Sequence, residues 1–160
     1  MYPAQPPQYA ALARAIADRV RDRTGCTLPL CTDTDATEAG SPALRAEFRD
    51  RPLILLGRLG INRAIWTAYN RFLCALDGHH PGGDGYVVRT AARVLPGGID
   101  HLLVGGSSDA GAARAVDRFL ELLAQTPPAS DGSLVLPWLL DVELGGRCRA
   151  LFDEDERRWN

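Results

Sequence analysis

The run Leu103, Val104, Gly105, Gly106, Ser107, Ser108, Asp109 is the part of this sequence whose residue types and spacing come nearest to a binding site. An apolar strand that runs into two glycines and then a helix start leaves backbone N–H groups facing outward. A phosphate or carboxylate is favoured at such a place. The same residues also have a purely structural reading. Ser107 or Ser108 caps the helix, Asp109 complements its dipole, and the glycines make the tight turn. Neither GxxxxGK[ST] nor GxGxxG occurs, so the nucleotide fingerprints are not met. Gly105, Gly106, Ser107, Ser108 and Asp109 are therefore the candidate ligand-binding set, and they imply no cofactor.

Other chemistry-bearing residues lack the partners that chemistry needs. His79 and His80, with Asp77 and Asp84, have the composition of a metal cluster but not its spacing. Adjacent histidines in an extended loop point apart, and no HExxH or HxH is present. Nucleophilic catalysis needs Ser or Cys beside an oriented base. No GxSxG elbow occurs, and Cys74 falls within an apolar helical pattern. The acidic groups Asp33, Asp35 and Glu38, and the run Asp153, Glu154, Asp155, Glu156, read as solvated charge. Arg58, Arg63, Arg71, Arg89 and Arg93 are spread over several elements without interleaved aromatics, so they make no nucleic-acid platform. The expectation is no catalytic set and no metal site.

Bulk composition narrows the classes further. A chain of 160 residues with 46% hydrophobic and 24% charged residues suits one domain with a real core. The net charge of −2 supplies no field to gather nucleic acid or an anionic membrane. All 18 basic residues are arginine, a pattern we attribute to a GC-rich genome. No apolar run approaches the roughly 20 residues that span a bilayer. Residues 1–8 are polar and proline-rich, unlike a signal peptide. Cys26, Cys31, Cys74 and Cys148 form no CxxC and no zinc spacing. They read as small buried hydrophobes, with a disulfide from Cys26 or Cys31 to Cys148 as the other reading.

These residues must be positioned by a small set of elements. Tyr9, Leu12, Ala13, Ile16 and Val20 recur at helical steps and predict a helix over 8–23. A short strand is expected at 27–32, a polar loop at 32–41, and a turn or two of helix at 42–49. Residues 52–57 form a continuous apolar run bounded by Pro52 and Gly57, the pattern of a strand buried on both faces. Asn62 then caps a helix over 63–76 with Ile65, Trp66, Tyr69, Phe72, Leu73 and Leu76 on its apolar side. Strands at 85–94 and 100–105 flank the short turn at 96–98, which requires an antiparallel hairpin. A helix follows over 110–125 with Val116, Phe119, Leu120 and Leu123 as its core stripe. Residues 148–159 are expected to form a charged helix, and its abrupt stop suggests a domain trimmed from a longer protein.

The order predicts an α+β fold: one mixed sheet of about four strands, including the hairpin, with helices packed on it. Residues 1–26 would supply an N-terminal helix and 27–126 the α/β core. Residues 127–160 would form a linker and charged tail leading to a downstream domain. Within this frame, 51–125 is an α/β unit with no complete set of catalytic residues.

Four segments taken in order carry a resemblance. They are Leu53-Ile-Leu-Leu-Gly57, then Asn62-Arg63, then Gly85-Tyr86-Val-Val-Arg89, and finally Leu103-Val-Gly-Gly-Ser-Ser-Asp109-Ala-Gly111. Together they resemble the non-catalytic N-terminal α/β domain of carbohydrate-active enzymes such as β-N-acetylhexosaminidases and α-glucuronidases. The match covers 52–123, about half of the chain. The resemblance implies a structural accessory domain packed on the downstream catalytic domain of the same parent chain, a glycoside hydrolase or polysaccharide lyase. It also implies a secreted or periplasmic parent. A second reading is a small-ligand or anion-binding module using Gly105 to Asp109. A third is a protein-interaction module using the charged tail.

Overall fold

The computed structural model describes residues 1–71, 74–93, 95, 98–131 and 133–145, and the backbone at 152–153 and 158–159. Helix α1 (Gln8–Thr24) starts behind Pro6 and Pro7 and stops at Gly25, whose positive φ of 72° lets its N–H reach the Arg21 carbonyl at 2.7 Å. Strand β1 (Ile54–Leu56) leads to α4 (Arg63–Tyr69), β2 (Tyr86–Ala91), β3 (His101–Gly106) and α5 (Asp109–Gln125). Two four-residue helices, α2 (Asp33–Ala36) and α3 (Ala46–Arg49), precede β1, and β4 (Leu140–Glu143) follows α5.

The four strands form one mixed sheet in the order β1-β3-β2-β4. β1 runs parallel to β3, and β2 is antiparallel to both β3 and β4. The expected α+β sheet with its hairpin is the observed one, and the hairpin is β2–β3, in register from Tyr86↔Gly106 to Ala91↔His101. Side chains alternate between the faces of the sheet. Leu56, Tyr86, Val88 and Val104 face α1 and α5 and pack with Tyr9, Ile16, Phe119 and Leu123. Leu55, Val87, Ala91 and Leu103 face α4 and pack with Ala64, Ile65, Ala68 and Leu76. Phe119 is fully buried, so truncating it to alanine would cost about 3–5 kcal/mol.

Several elements differ from the sequence expectation. The segment at 27–32 is not a strand; Thr32 makes only an isolated parallel bridge with Tyr2, because Pro29 has no N–H for a ladder. The loop at 32–41 contains α2, capped by the Thr32 hydroxyl. The helix expected to reach residue 76 ends at Tyr69. Leu76 stays in the core from an irregular segment, where its carbonyl accepts the Leu59 N–H at 2.9 Å. Apolar spacing marked the burial there but not the backbone path. Phe72 and Leu73 lie outside the described residues.

The segment read as linker and tail contributes to the sheet. β4, from within 127–160, pairs with β2 from Tyr86↔Glu143 to Arg89↔Leu140. Of the expected tail helix, Phe152–Asp153 and Arg158–Trp159 pair instead as a two-stranded antiparallel ribbon, β5 and β6. The remaining residues of that stretch, Cys148 included, lie outside the described residues. Among the described residues no helix is long and apolar enough to cross a membrane.

Candidate functional site

The turn from Gly105 to Asp109 lies where β3 enters α5, and its polar groups are engaged inside the chain. The Ser107 hydroxyl accepts the Gly82 N–H at 2.8 Å. The Ser108 hydroxyl caps α5 by accepting the Gly111 N–H at 2.9 Å and donates to Asp84 at 2.6 Å. Gly105 and Gly106 are glycines because backbone approaches them. A Cβ at Gly105 would sit 1.8 Å from the Gly57 carbonyl oxygen, and one at Gly106 would sit 2.6 Å from that of Gly85. Residues 82–85 therefore lie beside the start of α5 and engage its two serines.

Asp109 joins this turn to the start of α1 and the end of β1. Its carboxylate accepts Arg58 at 3.0 Å, the Tyr9 hydroxyl at 3.0 Å and Gln8 Nε2 at 2.7 Å. The Arg58 hydrogen bond, helped by Tyr9, holds the Asp109 carboxyl below the usual carboxylate range against the opposing effect of partial burial. Burial first, and then the Asp109 bond, push the Tyr9 phenol well above its ordinary value. Such a group is a structural donor, not a base near neutral pH.

This cluster sits at a particular point of the topology. β1 and β3 are parallel neighbours, and the chain leaves them toward opposite faces, into α4 and α5 respectively. In open α/β sheets the crevice beyond such strand ends is where ligands enter. Here Arg58, Asp109 and Tyr9 close it on one side, and Pro3 lies against Gly57. The open space is displaced to the neighbouring groove of about 820 Å³, between the N-terminal segment, α2 and the start of α4. Its walls include Gln5, Thr34, Ser41, Arg63 and Trp66.

Asp33 forms the floor of that groove and was misread in the sequence. It stood among carboxylates expected to be solvated, yet it is only 3% exposed. Its two oxygens accept the Ala4 N–H at 2.8 Å and the Arg63 N–H at 2.9 Å, tying the N-terminal segment to α2 and α4. The sequence signal available was Thr32, whose hydroxyl caps α2 and so turns Asp33 inward. Asn62 lies beside it, also buried, with its amide bonded to the Leu56 carbonyl at 2.9 Å.

The remaining candidates stay apart. The N–H groups of His79 and His80 both donate to Asp77, which makes that loop a turn built around one carboxylate. Among the described residues no three His, Cys, Asp or Glu side chains gather as metal ligands. Cys74 is buried, and burial pushes its thiol up to about 11. His101, which the sequence did not single out, is buried on β3. Its Nδ1 accepts the Leu53 N–H at 3.3 Å, and burial lowers its pKa. These features point to packing roles.

The uncovered surface is more distinctive. On β4, Asp141 and Glu143 face α5 and pair with Arg118 and Arg114. Leu140, Val142 and Leu144 alternate with them onto the other face, where they are 71%, 40% and 56% exposed. Trp138 and Val135, just before β4, are exposed as well, at 65% and 69%. Arg89, directly opposite Leu140 in the register, has a buried Nε with no hydrogen-bond partner among the described residues.

Comparison with family models finds none that matches this chain, and comparison with curated proteins finds no match.

Proposed function

We propose that this chain is a non-catalytic accessory domain of a larger polysaccharide- or glycoside-degrading enzyme, a glycoside hydrolase or polysaccharide lyase. It docks on the catalytic domain of the same parent chain through the strip Trp138, Leu140, Val142 and Leu144. That strip carries the reading. An edge strand bearing a row of exposed apolar side chains invites pairing and aggregation when left open. Its charged alternates are already matched by α5, so the strip remains as a surface to be covered. The strip fixes the chemistry of the cover: an apolar surface on the partner domain that matches its row of exposed side chains. The carbohydrate context comes from the ordered segments between Leu53 and Gly111 and from them alone.

The test compares hydrogen exchange at 138–144 in the full-length parent protein with that in the 160-residue chain. We expect slower exchange in the parent than in the chain alone, where β4 is held on one side only, by its ladder to β2. Equal exchange in both would remove the docking role. Turnover of aryl glycosides or uronate polymers by the chain alone would remove the accessory assignment.

A further inference from the structure

We propose that the groove between the N-terminal segment, α2 and α4 binds a small ring-bearing carboxylate, stacked on Trp66 and paired with Arg63. This inference stands on the groove alone and is independent of the accessory assignment. The groove's volume of about 820 Å³ lies within the range of small-ligand sites, roughly 300–1,000 Å³.

Its floor is held in place by four hydrogen bonds. Asp33 uses both oxygens on backbone N–H groups, and Asn62 uses its oxygen on the Ala64 N–H and its amide on the Leu56 carbonyl. The only carboxylate in the lining is therefore buried and occupied. The rim is the opposite. Among the described residues the Arg63 guanidinium makes no hydrogen bond or ion pair, and the Gln5 carboxamide is likewise without a partner. Trp66 lines the same groove with 47% of its surface exposed. Arg63 and Trp66 stand three residues apart on α4 and so project from one side of it.

The chemistry of a ligand follows from these groups. An exposed indole presents a broad apolar face to a flat or puckered ring. A free guanidinium three residues away offers a planar fork of donors matched to a carboxylate. Gln5 adds a donor and an acceptor for a hydroxyl. Two sources share this chemistry, a sugar acid and an aromatic acid, and the experiment separates them.

Titration of the 160-residue chain with glucuronate, benzoate, glucose and inorganic phosphate, followed by calorimetry and by ligand-observed NMR, is the test. We expect millimolar or tighter binding of glucuronate or benzoate and weaker binding of glucose. Arg63→Gln should weaken the bound acid about tenfold or more, and Trp66→Ala should do the same. Both side chains lie at the surface, so thermal melts should show the variants folded. A preference for glucuronate identifies a sugar acid as the source, and a preference for benzoate an aromatic acid. No binding of either acid overturns the proposal. So does binding that either variant leaves unchanged, or binding of phosphate or glucose as tight as that of the acids. Hydrogen exchange at β4 is unaffected by any of these results, so this failure is distinguishable from failure of the docking role.

Discussion

Gly105→Ala separates a fold-making glycine from a ligand-binding one. The added methyl would lie 1.8 Å from the Gly57 carbonyl oxygen and 3.0 Å from a Leu76 methyl. The side chain of Leu76 can shift, but the Gly57 carbonyl is fixed. Its residue is held to β3 by the Gly57 N–H to Val104 carbonyl bond at 3.0 Å. Relief therefore requires β1, an edge strand, to move away from β3. Overpacking of a well-packed site costs about 1–3 kcal/mol, and a backbone obstacle places this variant at about 3 kcal/mol. A chain of this size loses about 2–4 °C for each kcal/mol, so the melting temperature should fall by about 6–12 °C. Gly78→Ala is the control, because nothing lies within 4 Å of a Cβ there. It should change stability by no more than about 0.5 kcal/mol. Thermal melts followed by circular dichroism at neutral pH measure both, and failure of Gly105→Ala to fold is the same effect carried further. If both variants melted with the wild type, the close approach of Gly57 to Gly105 would be refuted. The glycine would then be free to serve a ligand.

Three further outcomes follow from the same geometry. Asp109 has a depressed pKa in the folded chain, so its contribution is present above the unfolded value of about 4 and is lost as pH falls through the folded value. Wild type should thus lose more stability than Asp109→Asn between neutral pH and about pH 3, and Arg58→Ala should raise the Asp109 titration seen by NMR. Identical acid limbs would show that the Arg58 pair has no effect on Asp109. The combined change Leu140→Thr, Val142→Thr and Leu144→Thr should leave the melting temperature nearly unchanged, because these side chains are exposed, while reducing binding of a hydrophobic dye. A large loss of stability would mean that the strip is already covered within the chain. Cys26 is exposed and Cys74 buried with a raised pKa, so a disulfide reagent at pH 8 should label Cys26 first and Cys74 only after denaturant. Rapid labelling of Cys74 in the native chain would contradict its burial.

Local pattern was enough to read most of this fold. The apolar run at 52–57 read as a buried strand, and the strands expected at 85–94 and 100–105, separated by a short turn, required a hairpin, as observed. The stripe of Val116, Phe119 and Leu123 required a core helix, and Ser108 before Asp109 marked where it begins. Those features depend on neighbours in sequence, so the sequence determined them. What lay beyond it depends on residues brought together from a distance. Asp33 looked like solvated charge until the Ala4 and Arg63 N–H groups, 29 and 30 residues away, closed around it. β4 looked like a linker because Pro137 and the mixed pattern around it gave no strand period, and pairing with β2 made it one. The Gly105 to Asp109 turn offered an anion site in sequence. Only the tertiary structure decided which partners its polar groups take, Gly82 at Ser107, Asp84 at Ser108 and Arg58 at Asp109, because those partners are 24 or more residues away and meet them only in the folded chain.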